Sequence, residues 1–239
     1  MSGSVLEVRD LEVKLAAFVI LRGISLRVPH GEIVGLVGRN GAGKTTTLRS
    51  IIGLVPILRG SVHLNGQELT HRSPHERVRL GIGYLPEDRR LIASLTVEEN
   101  LLLPLWAADQ DNGGNRLARI YDLMPEVKRL ADRRAAALSG GQQKMVALAR
   151  AVMAGTKLLL LDEPFEGLAP LLARHLAEVI RALRDVAVLV TESDVNRMRL
   201  LTDQICTIER GEMVLDSAAG ATGSLPAITP ERDARSNVQ

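Results

Sequence analysis

The chain has 239 residues, 46% hydrophobic and 24% charged, with one cysteine and a net charge of +2. That length allows one large domain or two small ones around a substantial core, and with aromatics at only 2% the core must be aliphatic. The weak net charge gives no ground for nucleic-acid binding, a lone Cys206 excludes an intrachain disulfide, and no apolar stretch approaches the roughly 18 residues that cross a bilayer.

Residues 1–7 lack the basic start and apolar centre of a signal peptide. Three alternating runs, 5–8, 11–15 and 24–28, predict half-buried antiparallel strands. Pro29-His30-Gly31 turns the chain into an apolar strand at 33–37, and a helix-compatible stretch follows at 46–52. Residues 61–64 form a short strand bracketed by Arg59-Gly60 and Asn65-Gly66, in hairpin style. His71 and His75 are spaced one helical turn apart, but Pro74 between them argues against a zinc site. Arg89-Arg90 and Arg133-Arg134 lack interleaved aromatics and read as solvated faces or phosphate neighbours.

Residues 96–153 read as mostly helical, with Thr96 as an N-cap, Glu99 three residues on, and a flexible loop at 111–115. Residues 158–161 are four leucines and predict a buried parallel strand. Leu172, Leu176, Val179, Ile180 and Leu183 mark one helix face, and 186–190 and 205–208 are further buried strands, with Cys206 as an inert thiol. Strands alternating with helices imply a mostly parallel α/β sheet. From about residue 217 the composition shifts to small and polar residues, which predicts a loose tail over 217–239.

Three short motifs carry chemistry. Residues 38–45 read Gly-Arg-Asn-Gly-Ala-Gly-Lys-Thr, between a predicted strand and a predicted helix. Glycines there let backbone N–H groups converge on one concavity, and the helix N-terminus adds partial positive charge. Lys44 can reach outer phosphates and the Thr45 hydroxyl can ligate Mg²⁺. The four leucines end in Asp162-Glu163: Asp162 can hold Mg²⁺, Glu163 can polarise a water, and Pro164 stiffens the backbone after them. Leu138-Ser139-Gly140-Gly141-Gln142 opens a helix whose apolar face is Met145, Val146, Ala149, Val152 and Met153. Its N–H groups offer a second phosphate cradle, which one triphosphate on one chain does not need.

Together the motifs resemble the ATP-binding cassette (ABC) ATPase family over about residues 5–216. The resemblance implies an α/β fold: a P-loop NTPase core with a mostly parallel sheet, an N-terminal antiparallel β subdomain and a helical insertion over about 96–153. It implies that Gly38, Arg39, Asn40, Gly41, Ala42, Gly43, Lys44, Thr45 and Thr46 bind ATP, with Thr45 and Asp162 on Mg²⁺ and Glu163 as the catalytic carboxylate beside Lys44. Ser139, Gly140, Gly141 and Gln142 then act in trans, on nucleotide held by a second ATPase subunit, identical or paralogous. Tyr84-Leu-Pro-Glu-Asp-Arg-Arg90 and Asp162-Glu-Pro-Phe-Glu-Gly-Leu-Ala-Pro170 look like the ATPases of branched-chain amino acid importers. That branch implies transmembrane permease subunits, a periplasmic or extracellular solute-binding protein, and a peripheral position on the cytoplasmic face of the inner membrane, the segment 87–95 facing the permease. Lipopolysaccharide-type export and a slowly hydrolysing clamp remain open as alternatives.

The chain departs from the family pattern at three places. Glu87 stands where many cassettes carry Gln, as a Mg²⁺ and γ-phosphate-side ligand, with Arg89 or Arg90 to offset its charge. Ser193 stands where a His normally meets the γ-phosphate, which predicts slow turnover. Leu15 takes the place of the ring that stacks on adenine, with Phe18 three residues on.

Overall fold

The computed structural model describes residues 4–108 and 113–214. The predicted tail at 217–239 therefore lies outside the described residues, as do 111 and 112 of the predicted loop. Two long strands open the chain, β1 (Ser4–Leu15) and β2 (Phe18–Pro29), paired antiparallel. The runs expected as separate strands at 5–8 and 11–15 are one bulged strand. Asp10 takes a φ of 45° there, its N–H donates to Ser25 Oγ at 2.8 Å, and that hydroxyl donates back to Asp10 Oδ1 at 3.2 Å. The bulge shifts the register between Val8 and Leu11, so Val8, Leu11 and Val13 all stay buried.

Strand β3 (Ile33–Val37) leads into α1 (Lys44–Ile52). Strands β4 (Arg59–Leu64) and β5 (Gln67–Glu68) form the expected hairpin and complete an antiparallel sheet in the order β2-β1-β4-β5. After α2 (Pro74–Arg79) and β6 (Ile82–Leu85) comes the helical segment: α3 (Val97–Ala108), α4 (Gly113–Leu123), α5 (Pro125–Lys128) and α6 (Gly140–Ala154). Thr96 and Glu99 make the predicted reciprocal cap, Glu99 N–H to Thr96 Oγ1 at 3.1 Å and Thr96 N–H to Glu99 Oε2 at 2.8 Å. The loop is shorter than expected: residues 113–115 already form the first turn of α4, which buries Ile120.

The remaining elements are β7 (Leu158–Asp162), α7 (Pro170–Arg181), β8 (Ala187–Glu192), α8 (Val195–Met198), β9 (Ile205–Glu209) and β10 (Glu212–Val214). The second sheet runs β10-β9-β3-β8-β7-β6, parallel except for the β10 edge. Leu158 and Leu160 face α1 and the antiparallel sheet, while Leu159 and Leu161 face the helical segment. A strand covered on both faces needs this unbroken apolar run. Strand β9 corrects the expectation of a buried strand: only Ile208 is buried, because its outer neighbour β10 is only three residues long. Cys206 is accordingly half-buried, and that burial still pushes its thiol above the ordinary range.

Candidate functional site

Strand register places the chemistry. Val37 pairs with Glu192 and Asp162 with Thr191, so β3, β7 and β8 end together and their following loops meet at the carboxyl edge of the sheet. This is where open α/β sheets form their clefts. The cleft there, about 470 Å³, is lined by Leu15, Ile20, Asn40, Gly41, Gly43, Lys44, Thr45, Thr46, Glu87, Glu163 and Glu166. Gly43, at φ 113°, sets the start of α1, and a Cβ there would approach Leu21 Cδ2 to 2.7 Å. Leu15 reaches the cleft, whereas Phe18, 72% exposed, is not part of its lining.

Lys44 is almost wholly buried. Its Nζ donates to the carbonyls of Gly38 at 2.8 Å and Arg39 at 3.3 Å, and lies 3.0 Å from Glu163 Oε1. The other carboxylate oxygen of Glu163 accepts from the Ser193 hydroxyl at 3.2 Å and the Ser193 N–H at 3.3 Å. Glu163 sits at φ 47°, a left-handed conformation that a residue before proline rarely adopts. Its N–H is held by the carbonyl and hydroxyl of Thr191, and its carbonyl accepts from Lys144 Nζ at 2.7 Å.

Asp162 is fully buried. Oδ1 accepts from Thr45 Oγ1 at 3.0 Å and from Thr191 Oγ1 at 2.8 Å, and Tyr84 O–H points at Oδ2 from 3.4 Å. Burial is the main force raising the Asp162 carboxyl above its ordinary range, against the hydrogen bonds from Thr191 and Thr45. Glu87 is raised too, by burial first and then by the charges of Glu166 and Asp162. The hydroxyl of Thr45 and the carboxylates of Asp162 and Glu87 are an oxygen-only set near one cleft, which fits a small hard cation such as Mg²⁺. Charge compensation for Glu87 by the neighbouring arginines is not seen. Arg90 pairs with Asp88 at 2.8 Å, and Arg89 turns to Gln143 Oε1 at 3.2 Å, beside the start of α6. Both arginines have positive φ, and Arg150 fixes them by donating to their carbonyls at 2.8 and 2.9 Å.

Ser139, Gly140, Gly141 and Gln142 do not line this cleft. Ser139 caps α6, its hydroxyl accepting from Gln142 N–H at 3.3 Å, while Gln142 Oε1 accepts from Ser139 N–H at 3.0 Å. Ser139 and Gly140 are exposed, at a helix start separate from the cleft that holds the chain's own phosphate loop.

Three buried charged residues escaped the sequence reading: Glu192, Lys144 and Arg77. Glu192 is fully buried, its Oε1 accepts from Phe165 N–H at 3.1 Å, its Oε2 meets no donor among the described residues, and its carboxyl lies against that of Glu163. Burial, with the adjacent negative charge of Glu163 adding, pushes its carboxyl up to about 8. A second acid directly at the end of a buried strand was the available signal.

The family model described as ABC transporter matches residues 21–166. The chain is similar to the high-affinity branched-chain amino acid transport ATP-binding protein BraG of Pseudomonas aeruginosa, 38% identical over 87% of this chain and 90% of that protein. It is also similar to the lipopolysaccharide export system ATP-binding protein LptB of Escherichia coli K12, 36% identical over 82% and 83%. Among solved structures, a post-hydrolysis dimer of the ATP-binding cassette MJ0796 bound to ADP and Pi superposes with a TM-score of 0.75 at 25% identity, covering 87% of this chain and 96% of that one. Cassettes of this kind work as dimers with transmembrane permease subunits. A phosphate loop, a buried Asp-Glu pair at the end of a sheet strand and an exposed serine-capped helix start thus meet a family match across most of the chain: it belongs to the ABC transporter family, as an ATP-binding subunit that hydrolyses ATP.

Proposed function

We propose that this chain energises import of branched-chain amino acids or related small solutes. It does so on the cytoplasmic face of the cell membrane, paired with a second ATPase chain beneath transmembrane permease subunits, with a solute-binding protein on the far side. Among the described residues no helix is long and apolar enough to cross a membrane, which suits a peripheral subunit. The observation that carries the reading is the 3.0 Å contact between Lys44 and Glu163, which sets a cation and a carboxylate across one cleft at the mouth of the phosphate loop.

In this reading the N–H groups of residues 38–46 receive the phosphates. Lys44 exchanges Glu163 for the outer phosphate oxygens, and Glu163 is released to take the proton of the attacking water. Ser193 keeps hold of the carboxylate through its hydroxyl and N–H, so it serves by aiming Glu163. Ser139, Gly140, Gly141 and Gln142 close on nucleotide bound by the partner subunit. Thr45, Asp162 and Glu87 would hold Mg²⁺, which when bound offsets charge on the phosphates.

A second cleft suits the permease. It is a largely apolar groove of about 440 Å³ between α2, α3 and α6, lined in part by Leu54, Pro74, Val78, Leu103, Pro104 and Ala107. Arg150 lines it too, and its bonds to the carbonyls of Arg89 and Arg90 connect the groove to the loop carrying Glu87.

Replacing Glu163 by Gln tests the enzymatic assignment. ATP should still bind while hydrolysis falls by about 100-fold or more, the usual share of a general base; full hydrolysis in this variant refutes the role. For the solute, the similarity to BraG and the segments at 84–90 and 162–170 favour import. Deleting the gene should abolish high-affinity uptake of labelled leucine or a related solute. Intact uptake with defective surface lipopolysaccharide would instead transfer the chain to the export reading that LptB suggests.

A further inference from the structure

Lys144 lies in the first two turns of α6 and is 1% exposed. The four residues that follow it in α6, Met145, Val146, Ala147 and Leu148, are buried, and Gln143 before it is half-buried. An ammonium in such a place is costly to desolvate, and a methionine of similar length would pack there without that penalty. Its ammonium donates to the carbonyl oxygen of Glu163 at 2.7 Å. Burial first, and then the charge of Arg89, pull its ammonium below the ordinary lysine range, while Glu166, Glu192 and Glu87 favour the charge.

The carbonyl it grips belongs to a residue in an unfavourable conformation. Glu163 has a φ of 47° and precedes Pro164, and this combination needs outside support on both flanking peptide groups. Thr191 supports the N–H side and Lys144 the carbonyl side. Without that support the backbone at Glu163 is free to relax toward an ordinary φ, which would re-aim the side chain it carries.

We infer that Lys144 is a positioning residue for ATP hydrolysis: it ties the Glu163 backbone to the helix whose tip, Ser139 to Gln142, serves the partner's nucleotide. This rests on the reading of Glu163 as the base and of the α6 tip as acting in trans. The tether gives each subunit a direct mechanical link between the half-site it offers its partner and the carboxylate of its own cleft. Movement of the α6 tip on dimer closure is thereby felt at Glu163 without passing through the phosphate loop.

The test is a double-mutant cycle on the full chain, assembled with its permease where one is required, using Lys144→Met, Lys144→Arg, Glu163→Gln and the Met/Gln double variant. Lys144→Met should lower kcat by about tenfold or more, with KM, equilibrium binding of a fluorescent ATP analogue and the melting temperature kept close to wild type. Lys144→Arg, which keeps a donor, should regain most of that loss. In single-turnover assays Lys144→Met should slow the Glu163→Gln enzyme by less than about twofold, because the base through which it acts is gone. Multiplicative losses overturn the proposal, as does unchanged kcat in Lys144→Met. So does loss of ATP binding and melting temperature together, the mark of a purely structural lysine. If Lys144→Met does not fold, Lys144→Gln, whose donor falls short of the carbonyl, takes its place in the same cycle. Wild-type hydrolysis in Glu163→Gln alone is a different result, since it removes the base assignment before Lys144 is considered.

Discussion

Glu192→Gln should make the protein more stable at alkaline pH. The Glu192 carboxyl is fully buried, one oxygen is occupied by Phe165 N–H, and the other lacks a partner that an ionised carboxylate could use. Its pKa is raised from the ordinary 4.5 to about 8. Between those values the folded protein holds a proton that the unfolded chain has released, so stability falls as pH rises through the window and levels off above it. At about 1.4 kcal/mol per pH unit, the gap sets an upper bound of about 5 kcal/mol on the loss. Glutamine is a neutral isostere: its oxygen can accept from Phe165 and its amide can donate where the acid's proton does. The two proteins should therefore match near pH 5, and the variant should be ahead at pH 8.5 by about 2–5 kcal/mol, or roughly 5–15 °C for a chain of this size. Urea denaturation of both at several pH values measures this, and groups common to the two proteins cancel in the difference. A wild-type stability that is flat or rising from pH 5 to 8, or a variant with the same slope, would refute the reasoning.

Three other perturbations follow from the same geometry. Arg77 is buried and donates to the carbonyls of Ser50, Ile51, Thr70 and Arg72, two of them in the last turn of α1; Arg77→Met should cost about 2–4 kcal/mol, seen as a lower urea midpoint, and an unchanged midpoint would show those bonds to be dispensable. Asp162→Asn can still accept from Thr45 and Thr191, so the fold should persist; ATP should bind with little preference for the magnesium complex and hydrolysis should fall by about 100-fold, and a retained magnesium preference would place the ion elsewhere. Ser193 is exposed and leaves room for a ring, so Ser193→His should raise kcat by roughly threefold or more, while an unchanged rate and unchanged ATP affinity would show that the position is misassigned.

Much of the scaffold could be read from local pattern because its elements obey simple periods. Four leucines before two acids read as a strand covered on both faces, and β7 is that strand. A cap pair such as Thr96 and Glu99 is settled within one helical turn, and it formed. The errors came where a distant partner decides. The bulge at Asp10 depends on Ser25, fifteen residues away, and β9 is half-buried because its outer neighbour is only three residues long. Neither fact has a local signature.

The site divides along the same line. Residues 38–46, Asp162 and Glu163 announce themselves because their chemistry needs a fixed order of residue types along a strand, loop and helix. Lys144 and Arg89 do not, because a cation on a helix or in a loop reads as a solvated face until tertiary structure shows what it meets. Here it meets backbone or amide oxygen: Glu163 carbonyl for Lys144, Gln143 for Arg89, and Arg77 repeats the pattern with four carbonyls and no carboxylate. Spending buried positive charge on main-chain geometry makes little sense for stability alone, since apolar side chains fill such places at lower desolvation cost. It makes sense where strained backbone must be held in register with another segment. Lys144 does this at Glu163, and a further cation, Arg150, does it at the carbonyls of Arg89 and Arg90; the three acceptor residues all have positive φ. Lys144 and Arg150 thus mark the joints between the phosphate cleft, the α6 tip and the apolar groove beside α3, and these are the joints that a machine driven by nucleotide must keep coupled.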